Sequence, residues 1–212
     1  MKGDGNVASR TVSQTLEWGT AARSRWGETA SGDLAVVTRV PDGTVVAAVD
    51  GCGHGAEAAR VARIACERVR RSACRDLVSL ASQCHDALRW TRGAAMSLAF
   101  LSAVDNTITW LGIGNVQGRL LSRRPRTPWS NRSLRQVSGV VGHNVPPLRS
   151  ATLTLDHGDV LIFATDGIGA AFADSLELLG RSHEIADRIV ANHWNGTDDA
   201  LVLVLRYLAC RR

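Results

Sequence analysis

Two apolar segments joined by a three-residue turn constrain the fold of this chain most strongly. Residues 34–40 (LAVVTRV) and 44–50 (TVVAAVD) are rich in β-branched side chains, and Pro41, Asp42 and Gly43 separate them. Proline presets φ and glycine tolerates positive φ, so this separator is typical of a turn. The pattern therefore predicts a β-hairpin, and its mostly apolar second strand indicates burial on both faces.

Further strand and helix patterns come in blocks along the chain. Strands are predicted at residues 16–22, 94–103, 107–113, 115–122 and 200–208, with two more in 151–166 across the turn at 157–159. Helical periodicity begins at Ala56, returns over 75–90 and occupies part of 168–194, whereas 123–150 is predicted to be irregular. Because strands and helices do not alternate strictly, we expect an α+β fold with mainly antiparallel sheets and helices on their outer faces.

The length and composition are those of one globular domain. The chain has 212 residues, of which 45% are hydrophobic. Residues 1–14 are polar and lack periodicity, so we predict a flexible tail there and a single domain over 15–212. No apolar run reaches the length of a membrane span and no secretory signal is present, so we expect a cytoplasmic protein that does not bind membranes. The five cysteines lack CxxC spacing, which indicates a reducing compartment, and Cys66 and Cys84 are predicted to be core residues.

The positive charge is carried almost entirely by arginine. The formal net charge is +5, and Lys2 is the only lysine. Arginines cluster in 60–75, where a solvated helix face is expected, and in 123–135, where docking of an acidic protein surface is a second hypothesis. Neither cluster is accompanied by a nucleic-acid recognition motif, so we expect no nucleic-acid partner.

Carboxylates stand at three junctions between an apolar strand and a loop. Asp50 and Asp166 each end a predicted strand and precede a glycine, and Asp198-Asp199 directly precede the last strand. If these strand ends are neighbours, three or four like charges meet and repel one another. A divalent cation relieves that repulsion, and ligands that are all oxygen suit magnesium or manganese. Any one Asp-Gly pair is more often a turn, so on spacing alone the metal and turn interpretations remain about equally open.

Several motifs then point to a known family. DGCGHG, LIFATDGI and TDDALVLVL occur in the order found in the metal-dependent protein phosphatase (PPM) family, and resemble its SpoIIE branch. GETASGD (27–33), GIGNVQG (112–118), GVVGHNVPPLR (139–149) and LDHGDVLIFATDG (155–167) resemble the RsbX-like group, the small stand-alone phosphatases of stressosome signalling. The resemblance covers residues 16–208. It implies a four-layer α/β/β/α sandwich with two Mn²⁺ or Mg²⁺ ions at one sheet edge.

The resemblance also implies a set of site residues. Its metal ligands are the side chains of Asp50, which bridges the ions, Asp166 and Asp198, together with the backbone carbonyl of Gly51. Asp198 is preferred to Asp199 because the family ligand is the first acid of the pair. Asp33, in SGD, matches a family acid that acts near the metals through water.

His54 is the second candidate catalytic residue, after Asp33. It can either give a proton to the leaving group or only hydrogen-bond the loop, and the sequence shows no partner for it. Zinc binding by Asp50, Cys52 and His54 is a weaker alternative, since alternate residues of one short loop make a poor tetrahedral set. Asn115 is predicted to be a turn residue. Arg23 and Arg25 are predicted at the surface, so the phosphate-binding arginine of eukaryotic members has no secure counterpart.

The implied reaction is hydrolysis of phosphoserine or phosphothreonine in proteins. By the same resemblance, the substrates are phosphorylated STAS-domain proteins of the RsbS and RsbR kind, and we expect a monomer. Two alternatives stay open. One is a pseudophosphatase that binds a phosphoprotein without cleaving it, which the intact set of acids disfavours. The other is a hydrolase of small phosphate esters.

Overall fold

The computed structural model describes residues 10–12, 16–122, 130–174 and 176–208. Its strands are β1 (Arg10–Val12), β2 (Leu16–Arg23), β3 (Asp33–Val40), β4 (Gly43–Gly51), β5 (Ala94–Ser102), β6 (Thr107–Ile113), β7 (Gln117–Ser122), β8 (Ser130–Leu134), β9 (Gln136–Val137), β10 (Ala151–Thr154), β11 (Val160–Ala164) and β12 (Ala200–Tyr207). The helices are α1 (Gly55–Ser72), α2 (Leu77–Leu88) and α3 (Ser182–His193), with a 3-10 turn over Ala170–Asp174.

The strands form two sheets. Sheet I has the order β1-β2-β12-β11-β7-β8, and sheet II has the order β10-β6-β5-β4-β3. Neighbouring strands in both orders run antiparallel, while the two-residue strand β9 pairs with β6 in parallel. The predicted pair of mainly antiparallel sheets is confirmed.

The alternation of side chains along β4 builds the layers. Val45 and Val49 pack against α1 and α2 on the outer face of sheet II, whereas Val46 and Ala48 pack against sheet I. Successive side chains of a strand point to opposite faces, so a strand apolar at every position belongs between two layers. Strand β12 repeats the pattern, with Leu203 between the sheets and its neighbours against α3. The α/β/β/α sandwich is therefore confirmed.

The helices that cover sheet II follow their sequence signals closely. Helix α1 buries one face at helical spacing, formed by Ala58, Ala62, Ala65 and Val69. Asp76 caps α2, since its side chain accepts hydrogen bonds from the N–H groups of the second and third residues that follow it. Cys66 and Cys84 are fully buried in the same core, as predicted.

Two predictions about the later part of the chain are wrong. The strands predicted in 151–166 do not pair with each other, because β10 joins β6 in sheet II and β11 lies between β12 and β7 in sheet I. The segment 123–150 is not irregular throughout, since β8 pairs with β7 and β9 with β6. The polar sequence of β8 (SNRSL) carries no alternating apolar pattern, which is why it could not be predicted. Residues 123–129, with three of the five arginines of the proposed docking cluster, lie outside the described residues.

The predicted tail is also corrected at one point. Arg10–Val12 pair with β2 and extend the edge of sheet I. The rest of the predicted tail lies outside the described residues. In the described part of the chain, no helix has both the length and the hydropathy needed to span a bilayer.

Burial of Leu203 between the sheets predicts a large cost for its truncation. Leu203→Ala should lower the free energy of unfolding by about 2–5 kcal/mol, because it removes apolar contact and leaves a cavity. Val104→Ala is the control, since Val104 is 70% exposed in the turn between β5 and β6, and it should change stability by less than about 0.5 kcal/mol. Urea unfolding followed by circular dichroism measures both. Equal stability of the two variants would contradict the layering.

Candidate active site

Asp33 and Asp50 lie directly opposite each other, where β3 begins and β4 ends. The register of the two antiparallel strands pairs them, and Asp33 is only 5% exposed. Side chains at such positions have Cβ atoms about 5 Å apart, and like charges there are destabilising. A pair of facing carboxylates at the end of a sheet, one of them buried, is therefore not explained by folding stability.

Thr165 holds the ends of β11 and β12 against this pair. Its hydroxyl donates to Asp33 Oδ2 at 2.7 Å, and the backbone N–H of Leu201 donates to Thr165 Oγ1 at 2.8 Å. Both bonds are buried, and the bond from Thr165 to Asp33 connects sheet I to sheet II. As a result, Asp166, which follows β11, and Asp198, which precedes β12, lie at the same end of the sandwich as Asp50. We call this end the rim.

A cavity of about 460 Å³ lies at this rim. Three of the predicted metal ligands line it, namely Asp50, Asp166 and Asp198, and so does His54. Asp33 is buried beside Asp50 rather than in the cavity wall. The structure thus brings the predicted acids together at one place.

Asp198 and Asp199 have different surroundings. Asp199 is 3% exposed, and its carboxylate accepts the backbone N–H groups of Arg25 at 2.8 Å and Gly32 at 2.6 Å. It therefore ties the start of β12 to the loop before β3. Asp198, by contrast, lines the cavity, which fits the choice of Asp198 over Asp199 as the candidate ligand.

The glycines after Asp50 and Asp166 permit close packing rather than an unusual backbone conformation. A Cβ on Gly51 would clash with the carbonyl of Ala58 in α1, and one on Gly167 would clash with the carbonyl of Asp199. Neither glycine has a positive φ. Each is needed because another backbone segment passes against the strand end.

Burial and the neighbouring acids raise the pKa values of Asp50 and Asp33. Burial, and then the charges of Asp166 and Asp198, raise the pKa of Asp50 to about 7, although a hydrogen bond from Asn115 opposes the shift. Burial and the charge of Asp50 raise the pKa of Asp33 well above its ordinary value. The rim therefore carries more negative charge than its protein surroundings compensate.

Asn115 is a site residue that the sequence analysis missed. It lies in the bend after β6, where a turn residue was expected, but its Nδ2 donates to Asp166 Oδ2 at 2.6 Å. Because it also bonds Asp50, its amide lies between the two carboxylates. Its position after a strand that ends at the same rim is the signal that could have identified it.

Arg25 is the second missed residue. It was predicted at the surface, yet its side chain is half-buried and lines the cavity. Among the described residues of the cavity wall it is the one arginine. A guanidinium in the wall of this cavity is suited to an anionic ligand.

His54 has a partner that the sequence did not reveal. Its Nδ1 lies 2.7 Å from Oε1 of Glu28, in the GETASGD segment. A carboxylate acceptor places the proton on Nδ1 in the neutral ring and fixes the ring orientation, which leaves Nε2 as the second functional atom. The residue is half-exposed at the cavity and precedes α1.

The weaker zinc alternative is not supported by this geometry. Burial and the charge of Asp50 raise the pKa of the Cys52 thiol, which disfavours the thiolate that zinc requires. His54 is paired with Glu28 instead of facing Cys52 and Asp50 as a ligand.

The donor set fits a hard divalent cation. The candidate ligands are all oxygen atoms, as magnesium and manganese prefer, and the raised pKa values of Asp33 and Asp50 mark uncompensated negative charge. Within the described residues, no three Asp, Glu, His or Cys side chains already surround a common point. Binding of a cation would exchange the amide contacts of Asn115 for contacts between the ion and Asp50 and Asp166.

The two-sheet sandwich is the PP2C fold, which solved PP2C domains share. More narrowly, the chain belongs to the SpoIIE family, because the model of stage II sporulation protein E matches residues 41–208. That range includes Asp50, Asp166 and Asp198, whereas Asp33 precedes it.

Similar proteins agree with this assignment. Phosphoserine phosphatase RsbX of Bacillus subtilis (strain 168) is 25% identical over 167 residues, which are 78% of this chain and 81% of that protein. A structure described as "The bacterial stressosome: a modular system that has been adapted to control secondary messenger signaling" is 32% identical with a TM-score of 0.82, over 90% of this chain and 99% of that one. The crystal structure of RsbX in complex with magnesium is 20% identical with a TM-score of 0.82, over 95% of this chain and 99% of that one.

The raised pKa of Asp50 predicts how the metal-free protein responds to pH. Its folded-state pKa of about 7 exceeds the ordinary value of 3.8, so the folded protein binds more protons than the unfolded chain between these values. The free energy of unfolding should therefore fall by about 2–4 kcal/mol as pH rises from about 4 to 7. Outside this range it should change less with pH. Urea unfolding in EDTA across this range measures the slope.

Asp50→Asn is the matched variant for this measurement. It should flatten the decline, because the amide carries no charge. Saturating manganese should also reduce the decline of stability with pH for the wild type. It should change the pH dependence of the variant much less. A wild-type stability that rises between pH 4 and 7 in EDTA would contradict the assigned repulsion.

Proposed function

We propose that this chain is a metal-dependent phosphatase of phosphoserine and phosphothreonine in proteins. The convergence of Asp50, Asp166 and Asp198 on one cavity, with buried Asp33 beside them, supports the proposal most strongly. Membership of the SpoIIE family supports the reaction class.

The proposed cofactor is a pair of Mn²⁺ or Mg²⁺ ions. Asp50, Asp166 and Asp198 would hold them through carboxylate oxygens, Gly51 through its carbonyl and Asp33 through water. When bound, such ions supply an activated water and offset the negative charge of the phosphoryl group. The magnesium complex of RsbX, which shares the fold, is consistent with this choice.

Arg25 is proposed to bind the phosphate. Its side chain lines the cavity, and Asp199 fixes its backbone by accepting its N–H at 2.8 Å. A guanidinium can donate two hydrogen bonds to one phosphate, which orients the phosphorus relative to the acids. This assignment gives the chain the anion-binding arginine that its sequence did not clearly show.

His54 is proposed to protonate the oxygen that leaves with serine or threonine. Glu28 orients the ring through Nδ1, so a protonated Nε2 can donate at the cavity. A histidine side chain is well suited to general acid catalysis near neutral pH.

The proposed substrates are phosphorylated STAS-domain proteins of the RsbS and RsbR kind, in the cytoplasm. The 32% identity to a chain from a stressosome study and the relationship to RsbX support this choice. The pseudophosphatase alternative predicts binding without turnover, so it is separated from an active enzyme by the first experiment below.

Loss of Asp166 should abolish turnover. Wild-type protein with MnCl₂ should hydrolyse p-nitrophenyl phosphate, and Asp166→Asn should lower kcat/KM by at least about 100-fold, because mutating even an outer-shell partner of a metal ligand typically costs about 10–100-fold. The control is Asp42→Asn, which changes another Asp-Gly pair in an exposed turn at the opposite end of β4. It should retain full activity.

Two results would overturn the proposal. One is absence of turnover by the wild type with manganese or magnesium. The other is unchanged turnover by Asp166→Asn while circular dichroism shows an intact fold.

Proton donation by His54 predicts a dependence on the leaving group. His54→Gln should slow hydrolysis of a phosphoserine peptide by about 100-fold or more, because an alkoxide is a poor leaving group. It should slow p-nitrophenyl phosphate much less, because nitrophenolate leaves without a proton. His157→Gln, in the turn at the far end of β11, is the control. Equal losses on both substrates would assign His54 a structural role.

A further inference from the structure

Two tryptophans form an exposed stack at the edge of the site. The rings of Trp26 and Trp194 have centroids 5.4 Å apart and planes inclined by 25°. Trp26 is 76% exposed and lies in a turn closed by the N–H of Glu28, which donates to the carbonyl of Arg25 at 3.0 Å. Arg23 covers Trp194, with Cζ 5.5 Å from the ring centroid. We call Trp26, Trp194 and Arg23 the tryptophan platform.

The platform is joined directly to the cavity. Trp194 Nε1 donates to the backbone carbonyl of Asp198 at 2.9 Å, and Arg25, next to Trp26, lines the cavity. Both cavity residues are thus held by the segments that carry the two indoles. The platform is therefore hydrogen-bonded to one residue of the cavity wall and adjacent in sequence to another, so it borders the cavity.

The platform is ordered before any ligand arrives. One face of Trp26 is occupied by Trp194, and the loop at Gly196 lies against its indole edge, where a Cβ would clash with Nε1. Single exposed apolar side chains are common and need no explanation. An exposed indole that is fixed by a stack differs from them, since little conformational entropy is lost when it binds, and tryptophan and arginine dominate binding hot spots.

We infer that the tryptophan platform binds the polypeptide segment next to the phosphorylated residue, with an apolar or aromatic side chain against Trp26. The inference rests on the proposed phosphatase function. The charges agree with this occupant, because Arg23 and Arg25 together carry two positive charges beside a cavity that receives a phosphate. The platform would make a protein segment a better substrate than a small phosphate ester.

Peptides of one length test the inference. The reference is a heptapeptide of alanines with a central phosphoserine, and six others each carry one phenylalanine in place of an alanine. With manganese, the wild type should cleave at least one phenylalanine peptide with a kcat/KM about tenfold above the reference, the size typical of a buried aromatic contact. Trp26→Ala should lose that preference. Trp90→Ala, which removes a 98% exposed indole outside the platform, should keep it.

Binding measured without turnover separates this inference from the proposed function. In Asp166→Asn protein, fluorescence anisotropy of labelled peptides should show the same preference, and Trp26→Ala should remove it there too. The inference is overturned if no phenylalanine peptide is preferred, or if Trp26→Ala and Trp90→Ala behave alike. Turnover of p-nitrophenyl phosphate by the wild type reports on the proposed function alone.

Discussion

Repulsion among carboxylates at one end of the sandwich is the constraint on which the site depends. Asp33 and Asp50 face each other across β3 and β4, and Asp166 and Asp198 add charge to Asp50 from the ends of other strands. Because Asp33 is almost fully buried, this arrangement lowers the stability of the fold. A fold that keeps it must gain something other than stability, and divalent cation binding is the gain that suits an all-oxygen set of ligands.

The surrounding structure holds the acids in place despite this cost. Both sheets contribute to holding Asp33, because Thr165, at the end of β11 in sheet I, donates a hydrogen bond to Asp33 of sheet II. Asp199 anchors the loop that carries Arg25 and Gly32. The proposed phosphate-binding residue, Arg25, is thus held by the residue that follows Asp198, a proposed metal ligand. The small residues at the strand ends let α1 approach closely. The packing of the core and the geometry of the site are thus parts of one arrangement.

Sequence patterns predicted the layers and the acids but not the contacts between them. Each candidate carboxylate stands at the end of an apolar strand, a position that is visible in the sequence alone. Asn115, Arg25 and the partner of His54 were missed, because an amide, an arginine and a glutamate in loops are common and only the tertiary fold shows where they point. The same limit explains the strands in 151–166, since a local turn pattern does not show that its two arms join different sheets.

A crystal structure with manganese and anomalous diffraction data tests the central claim most directly. The account predicts two anomalous peaks at the rim, both within about 2.1 Å of a carboxylate oxygen of Asp50, with the Asn115 amide displaced from between Asp50 and Asp166. Absence of any anomalous peak near Asp50 at saturating manganese would contradict the claim, because the four acids would then remain together without the ion that explains them.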